Sequence, residues 1–273
     1  MRIYRPILTY PTYPLNGNRF LTSLVCKRKT GCGRMKISVR IAEIQDISPT
    51  VKAFVLDLQG QEFSFFAGQW IDCFVEINGR TEVAGYSITS SPTVVGWFSI
   101  AVKLVGDNTV TDYMHEQATV GETLVVDGGQ GEFYFDPAAA SGGSDSSIAL
   151  IAGGIGITPI AGIVRFMDKF APDVSATLLY SASAPAELLF REEFEAIATR
   201  NPQFHNYFTV TRSAGELWDG NVGRIDADML LGAGVDGDTR CYICGPPAMI
   251  RDIADALREI GVPDERIIYE QWW

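Results

Sequence analysis

"IALIAGGIGITP", residues 148–159, decides the architecture of the second half of the chain. Five consecutive apolar residues, Ile148 to Ala152, suit a strand buried on both faces of a parallel sheet. A turn carrying Gly153, Gly154 and Gly156 follows, and a helical pattern then runs through Phe170. Glycines placed between strand and helix let the backbone approach a pyrophosphate, whose charge is met by the helix amides and dipole. Taken alone, such a turn can also be a device for tight packing.

Downstream of this turn the same rhythm repeats. Apolar strands "ATLLYSA", "NYFTVTR", "TRCYICG" and "RIIYE" alternate with helices around "AELLFREEFEAIATR", "IDADMLL" and "AMIRDIADALREIG". Strand, helix, strand, helix predicts a doubly wound parallel sheet over residues 148–273. Ligands of such sheets sit outside the carboxyl ends of the strands, where "GGIGITP", "YSASA", "TVTR" and "ICGPPAM" fall. In "CGPPAM", Gly245, Pro246 and Pro247 can simply open a helix, with Cys244 a small buried apolar residue before them.

Upstream, residues 138–147 ("AAASGGSDSS") have a linker's composition and mark a domain boundary. From Met35 to Pro137 the segments "KISVRIAEI", "VKAFVLDL", "WIDCFVEI", "FSIAVKLV" and "TLVVD" show a period of two and β-branched or aromatic enrichment. They predict an antiparallel barrel over residues 35–137, interrupted by one helix at "NTVTDYMHEQA", whose start offers Thr109, Thr111 and Asp112 as caps. "VAGYSITSSP", residues 83–92, leaves a strand into what reads as an exposed corner, with an aromatic, a hydroxyl and backbone amides side by side and no charge among them.

Composition bounds the function. The 273 residues are 47% hydrophobic and 20% charged, enough for two domains with real cores. A net charge of −11 argues against nucleic acid as a partner, and no apolar run approaches the roughly 20 residues of a membrane span. Cys26, Cys32, Cys73, Cys241 and Cys244 form no disulfide ladder, so a reducing, cytoplasmic compartment is the plain expectation. The Cys241-x-x-Cys244 pair has no second pair to complete a zinc or iron–sulfur site, and His115 and His205 are too few for a histidine-rich metal site, so no metal is expected.

Residues 1–34 stand apart, with seven basic residues and no acid, whereas the remainder carries fifteen basic residues against thirty-three acidic ones, a net of −18. Such a leader resembles a transit peptide, which would direct the chain to the mitochondrial matrix. Three Tyr, three Pro and little Ser fit that poorly, and a start at Met35 with a spurious extension before it accounts better for the abrupt change.

A barrel, then "GGIGITP", then a strand-end cysteine in "CGPPAM" some ninety residues later resembles the ferredoxin–NADP reductase superfamily. Within it, "VAGYSITSSP", "GEFYFDP", "YSASAPAELLF", "YICGPP" and the Trp-Trp terminus are similar to the small oxidoreductase NAD-binding-domain-containing proteins. The resemblance runs from about Met35 to Trp273. It implies FAD on the barrel and NAD(P)H on the second domain.

Residue by residue, the resemblance implies the following flavin side. Tyr86 lies against the isoalloxazine, Ser87 bonds near its N5, and Ile88 and Thr89 continue the strand end. The family's arginine for the flavin phosphate falls on Ala84, leaving Lys103 or Arg80 as replacements. Thr111 matches the Ser or Thr at the start of the barrel helix, and Gly128 and Gly131 match a Gly-Pro-x-Gly-x-Phe element in which Gly129 replaces the proline. On the nicotinamide side Gly153, Gly154, Gly156, Thr158 and Pro159 match the pyrophosphate loop. Cys244, Gly245 and Pro246 match the segment beside the ring. Glu270 matches an acid that polarises or relays protons, and Trp272 with Trp273 matches a terminal aromatic that covers the flavin. Ser183 at the family's arginine position favours NADH, whereas Thr211 and Arg212 stand where some members hold the 2′-phosphate of NADPH.

Ser87, Cys244 and Glu270 are therefore the expected reacting centre. Without a fused ferredoxin or second flavin domain in the sequence, electrons are expected to leave to a separate acceptor: a ferredoxin, a haem protein or a small molecule. Two other readings stay open: a flavin reductase using flavin as substrate, and a nucleotide-binding module that has lost the flavin.

Overall fold

A computed structural model describes residues 36–106, 109–137, 147–212 and 217–271. The basic leader, residues 138–146 of the linker, and Trp272 and Trp273 lie outside the described residues.

Alternating apolar residues build the first sheet. Its strands are β1 (Ile37–Ser48), β2 (Val51–Asp57), β3 (Trp70–Ile77), β4 (Arg80–Ser87), β5 (Trp97–Lys103) and β6 (Thr123–Gln130), in the order β4-β3-β6-β1-β2-β5. Neighbours are antiparallel throughout. An isolated bridge between Ile88 and Ile100, with Thr89 N–H donating to Ser99 O at 2.8 Å, joins the two outer strands and closes the sheet into a barrel. Ile37, Val39, Ile41, Ile71, Cys73 and Val75 point inward at every second position. Helix α1 (Thr109–Glu116) adds Val110 and Met114 to the same core.

The second sheet is parallel, with strands β7 (Ser147–Gly153), β8 (Ser175–Ala182), β9 (Phe204–Val210), β10 (Asn221–Val222), β11 (Thr239–Gly245) and β12 (Ile267–Gln271). Its order, β10-β9-β8-β7-β11-β12, runs outward from β7 in one direction and then returns to its other side. Strand order thus reverses between β7 and β11, the switch point at which doubly wound sheets bind ligands. Helices α2 (Ile157–Phe170), α3 (Arg191–Arg200), α4 (Ala227–Gly232) and α5 (Pro247–Ile260) complete it. Among the described residues no helix is long and apolar enough to cross a membrane.

Three local expectations change. The stretch read as one helix over 186–200 is a 3₁₀ turn at Pro185–Glu187 followed by α3, because Leu188 and Leu189 are buried and Phe190 takes a left-handed φ of 59° before the helix. The corner after β4 is buried rather than exposed, from Ser87 to Thr93. The two-residue β10 escaped sequence analysis, being too short to show a period.

Candidate active site

The carboxyl ends of β7 and β11 meet closely. A Cβ on Gly156 would lie 2.2 Å from the Cys244 carbonyl oxygen and 2.7 Å from the Gly245 nitrogen, so only glycine lets the two loops touch. A Cβ on Gly153 would strike the Met249 sulfur at 2.3 Å. Gly154 differs: its surroundings are open, and glycine is favoured there by a left-handed φ of 55°. Gly154 opens the 3₁₀ turn Gly154–Gly156, and a left-handed residue beside right-handed ones is the backbone pattern that suits an anion. Thr158 donates to Ile155 O at 2.9 Å and so shapes the turn, and Pro159 fits the first turn of α2. Pro246 directly precedes α5.

Cys244 is fully buried and pairs in register with Ala152 on one side and Glu270 on the other. Burial, reinforced by the nearby Glu270 charge, pushes its thiol far above the ordinary cysteine range, so it stays neutral and is no thiolate nucleophile. Burial likewise pushes Cys73 and Cys241 up to about 12. Among the described residues no group of three His, Cys, Asp or Glu could hold a metal. Beyond β9, Thr211 N–H donates to Ala182 O at 3.0 Å and Arg212 N–H to Ser183 O at 2.9 Å. Ser183 and Arg212 are therefore backbone-bonded neighbours.

On the barrel, Tyr86 donates to or accepts from Thr111 at 3.2 Å, tying β4 to the first turn of α1. Its side chain belongs to the barrel core, and the residue is 9% exposed. Beyond it, Thr89 pairs with Ser99 and Ser91 with Thr93, each at 2.8 Å, while Ser90 accepts from Ser99 N–H at 3.1 Å. Ser87, 5% exposed, is the hydroxyl of this run that these internal bonds leave over. Arg80 sits beside the Asn78–Gly79 hairpin, four residues along β4 from Ala84, or about 13 Å of strand. Lys103 ends β5; continuing the Ile88–Ile100 register puts it level with Gly85, one residue from Ala84. Gly128 faces Ile71 at a bulge between β3 and β6, and Gly129 takes a φ of 51°, which proline cannot adopt.

Helix α2 joins the two halves of the site. A Cβ on Gly162 would lie 2.8 Å from Ile88 O, so the helix backbone rests directly on the buried corner. One turn on, Arg165 donates to Thr89 O at 2.6 Å and forms a two-pronged ion pair with Glu193 at 2.7 Å on each prong, its guanidinium lying over the Phe190 ring. Gly131 brings a second junction together: a Cβ there would meet Trp70 Nε1 at 2.7 Å and a Glu270 carboxylate oxygen at 3.3 Å. Glu270 thus stands at the seam with the barrel.

Comparison with known proteins follows this division. Residues 38–135 match the oxidoreductase FAD-binding domain and residues 150–255 the oxidoreductase NAD-binding domain. Oxidoreductase NAD-binding domain-containing protein 1 of Danio rerio is 34% identical over 254 residues, covering 86% of this chain and 92% of its own. The chain belongs to this family. It is an FAD- and NAD-binding oxidoreductase of the ferredoxin reductase type, in the ferredoxin–NADP reductase superfamily. Ferredoxin–NADP reductase B of Sorangium cellulosum is 28% identical over 85% of this chain and 96% of its own. The cytochrome b5 reductase domain of Ulva prolifera nitrate reductase superposes with a TM-score of 0.75 at 25% identity, covering 86% of this chain and 97% of its own.

The residues of this family member fit both groups. A glycine-lined concavity at the switch point suits a pyrophosphate, and an uncommitted hydroxyl beyond a buried Tyr–Thr pair suits a flavin edge. Sequence analysis missed Gly162, Arg165 and Met249. Each read as an ordinary helix or core residue, and only its partner, far along the chain, gives it a part in the site.

Proposed function

We propose that this chain takes hydride from NAD(P)H onto FAD held by the barrel and passes electrons to a separate acceptor. The observation that carries the reading is α2. Its first turn abuts Cys244 through Gly156, and six residues later, a rise of about 9 Å, Gly162 touches the strand end next to Ser87. One rigid element thereby supports both the flavin strand and the nicotinamide loop, the positioning that hydride transfer demands.

When bound, FAD supplies the hydride acceptor and the one- or two-electron donor to whatever follows. The chain's own residues do the rest. Ser87 offers a hydroxyl to the flavin edge, Thr111 and the first amides of α1 face its phosphates, and Lys103 supplies the positive charge that Ala84 lacks. Gly153, Gly154 and Gly156 admit the dinucleotide pyrophosphate, neutral Cys244 with Gly245 and Pro246 walls the nicotinamide, and Glu270 holds a negative charge or a proton at the seam. Acceptors of three kinds suit this arrangement: a ferredoxin, a haem protein or a small molecule.

Ser87→Ala should slow anaerobic flavin reduction by NAD(P)H about 10- to 50-fold, somewhat less than the roughly 100-fold or more that losing one donor in a fully preorganised oxyanion hole costs. Dinucleotide affinity should stay within about twofold, since no phosphate contact is lost. Equal losses in both would sink the assignment of Ser87 to the reacting centre.

Arg212 gives the dinucleotide preference. Bonded to Ser183 through the backbone, it can supply the cation that the strand before it lacks. Arg212→Ala should therefore raise KM for NADPH about 10-fold or more and leave KM for NADH nearly unchanged. Unchanged KM for both would remove Arg212 from the nucleotide site.

A flavin reductase that binds flavin as a substrate is the second reading. Ala84 favours it, because a diphosphate without its paired arginine is held more weakly.

A further inference from the structure

Tyr180, on β8, has no exposed surface, and its hydroxyl lies at a junction of three backbone groups. It stands 3.1 Å from Gly154 O and 3.1 Å from Glu187 O, and accepts from Leu189 N–H at 3.2 Å. One hydroxyl proton serves two carbonyls, so the group ties the glycine turn to the 187–189 segment. Burial pushes this phenol far above its usual range, so it remains a proton donor at every physiological pH.

A trans peptide carries its C=O and the next N–H on opposite sides. With the Gly154 carbonyl drawn inward to Tyr180, the Ile155 N–H of the same peptide is turned the other way. Thr158 does the same to the next peptide, holding Ile155 O at 2.9 Å and turning the Gly156 N–H outward. The left-handed φ of 55° at Gly154 sets how its own N–H stands to the Ile155 N–H that follows, the change of hand from which anion-binding concavities are built. No steric contact restrains this turn at Gly154, where a Cβ would meet nothing within 4 Å. Hydrogen bonds to its carbonyls keep the peptide planes from rotating: Ile157 N–H donates to Gly154 O and Ile155 O, and the Tyr180 and Thr158 hydroxyls add a side-chain donor to each.

We propose that Tyr180 is a positioning residue for the dinucleotide: its buried hydroxyl holds the Gly154–Ile155 peptide so that the turn presents its amides to the pyrophosphate. The inference rests on the reading of Gly153–Gly156 as the pyrophosphate loop. Through Glu187 and Leu189 the same hydroxyl also anchors the chain that follows Ser183, so one buried group ties the pyrophosphate loop to that segment.

The test compares the full-length protein with Tyr180→Phe and with Leu178→Ala, a fully buried neighbour on β8 that serves as a control for lost stability. Binding of NADH and NADPH is measured by titration, together with bound flavin, thermal midpoint and the rate at saturating dinucleotide. Tyr180→Phe is expected to weaken the tighter dinucleotide about 5- to 30-fold, the worth of one to two net hydrogen bonds. The saturated rate and the flavin content should stay within about twofold of the wild type. Leu178→Ala should lower the thermal midpoint at least as much yet leave dinucleotide affinity within about twofold. Equal affinity in Tyr180→Phe and wild type, or equal weakening in both variants, would overturn the role of Tyr180. A wild-type chain that binds neither dinucleotide would instead overturn the pyrophosphate-loop reading beneath it.

Discussion

Replacing Gly156 with alanine should abolish useful dinucleotide binding while leaving the barrel's flavin in place. The new methyl carbon would lie 2.2 Å from Cys244 O, 2.5 Å from Cys244 C and 2.7 Å from Gly245 N. All three are backbone atoms, so no side chain can swing away, and either the glycine turn or the Cys244–Gly245 segment must shift. Overpacking of that kind costs about 3 kcal/mol when the clash is with main chain. Affinity for NAD(P)H should fall by about 100-fold or more, because both loops proposed to hold the dinucleotide are displaced together. Titration with NADH and NADPH, alongside the visible spectrum, reads the two effects separately. Retained affinity would mean that the contact between these loops does not shape the nucleotide site.

Arg165→Met should produce the second largest effect, and of a different kind. The Arg165 and Glu193 side chains are 17% and 27% exposed, so the pair is shielded from solvent. Removing the guanidinium leaves Glu193 without this partner and Thr89 O without its 2.6 Å donor, a loss of about 2–4 kcal/mol. Catalysis should suffer beyond stability, since the corner after Ser87 loses its tether to α2. A displacement of about 1 Å between donor and acceptor slows hydride transfer by roughly 100-fold. Arg165→Lys should recover part of the stability and little of the rate, because an ammonium cannot satisfy Glu193 in two-pronged fashion and reach Thr89 as well. Stopped-flow reduction at saturating NAD(P)H, set against thermal unfolding, distinguishes the outcomes. A rate that falls no further than stability predicts would make Arg165 a structural clamp alone.

The two predictions share a feature that explains what could be read in the sequence. Periodicity was enough for the elements: "WIDCFVEI" coincides with β3 and "IALIA" falls within β7, because period-two burial and a fully apolar run each leave a direct trace. The glycine-bearing strand ends after β7 and β11 were legible too, whereas the reversal of strand order between them comes only from the sheet topology. Local reading failed where burial depends on distant partners. "SITSSP" reads as exposed because its residues are small and polar, yet Gly162, more than seventy residues later, lets α2 cover it. The hydroxyls tolerate burial because they satisfy one another.

Tyr86 shows in the same way how a distant partner sets exposure. The match to the family's aromatic holds in sequence, but its pairing with Ile71 on the inner face of the barrel commits much of the ring to the core. Tyr180 and Arg165 left no signal at all. An aromatic in an apolar strand and a charge on a helix are ordinary, and only the Gly154 and Thr89 carbonyls mark them out.

The most direct test of the central reading, hydride transfer from NAD(P)H to a flavin held on the barrel, is the visible spectrum of the full-length purified protein. FAD is added if the protein is colourless, and bleaching is then followed anaerobically under NADH and NADPH. The account predicts a flavin spectrum that bleaches with either dinucleotide and faster with NADPH. A protein that binds NAD(P)H but neither holds FAD nor reduces it when supplied would contradict it.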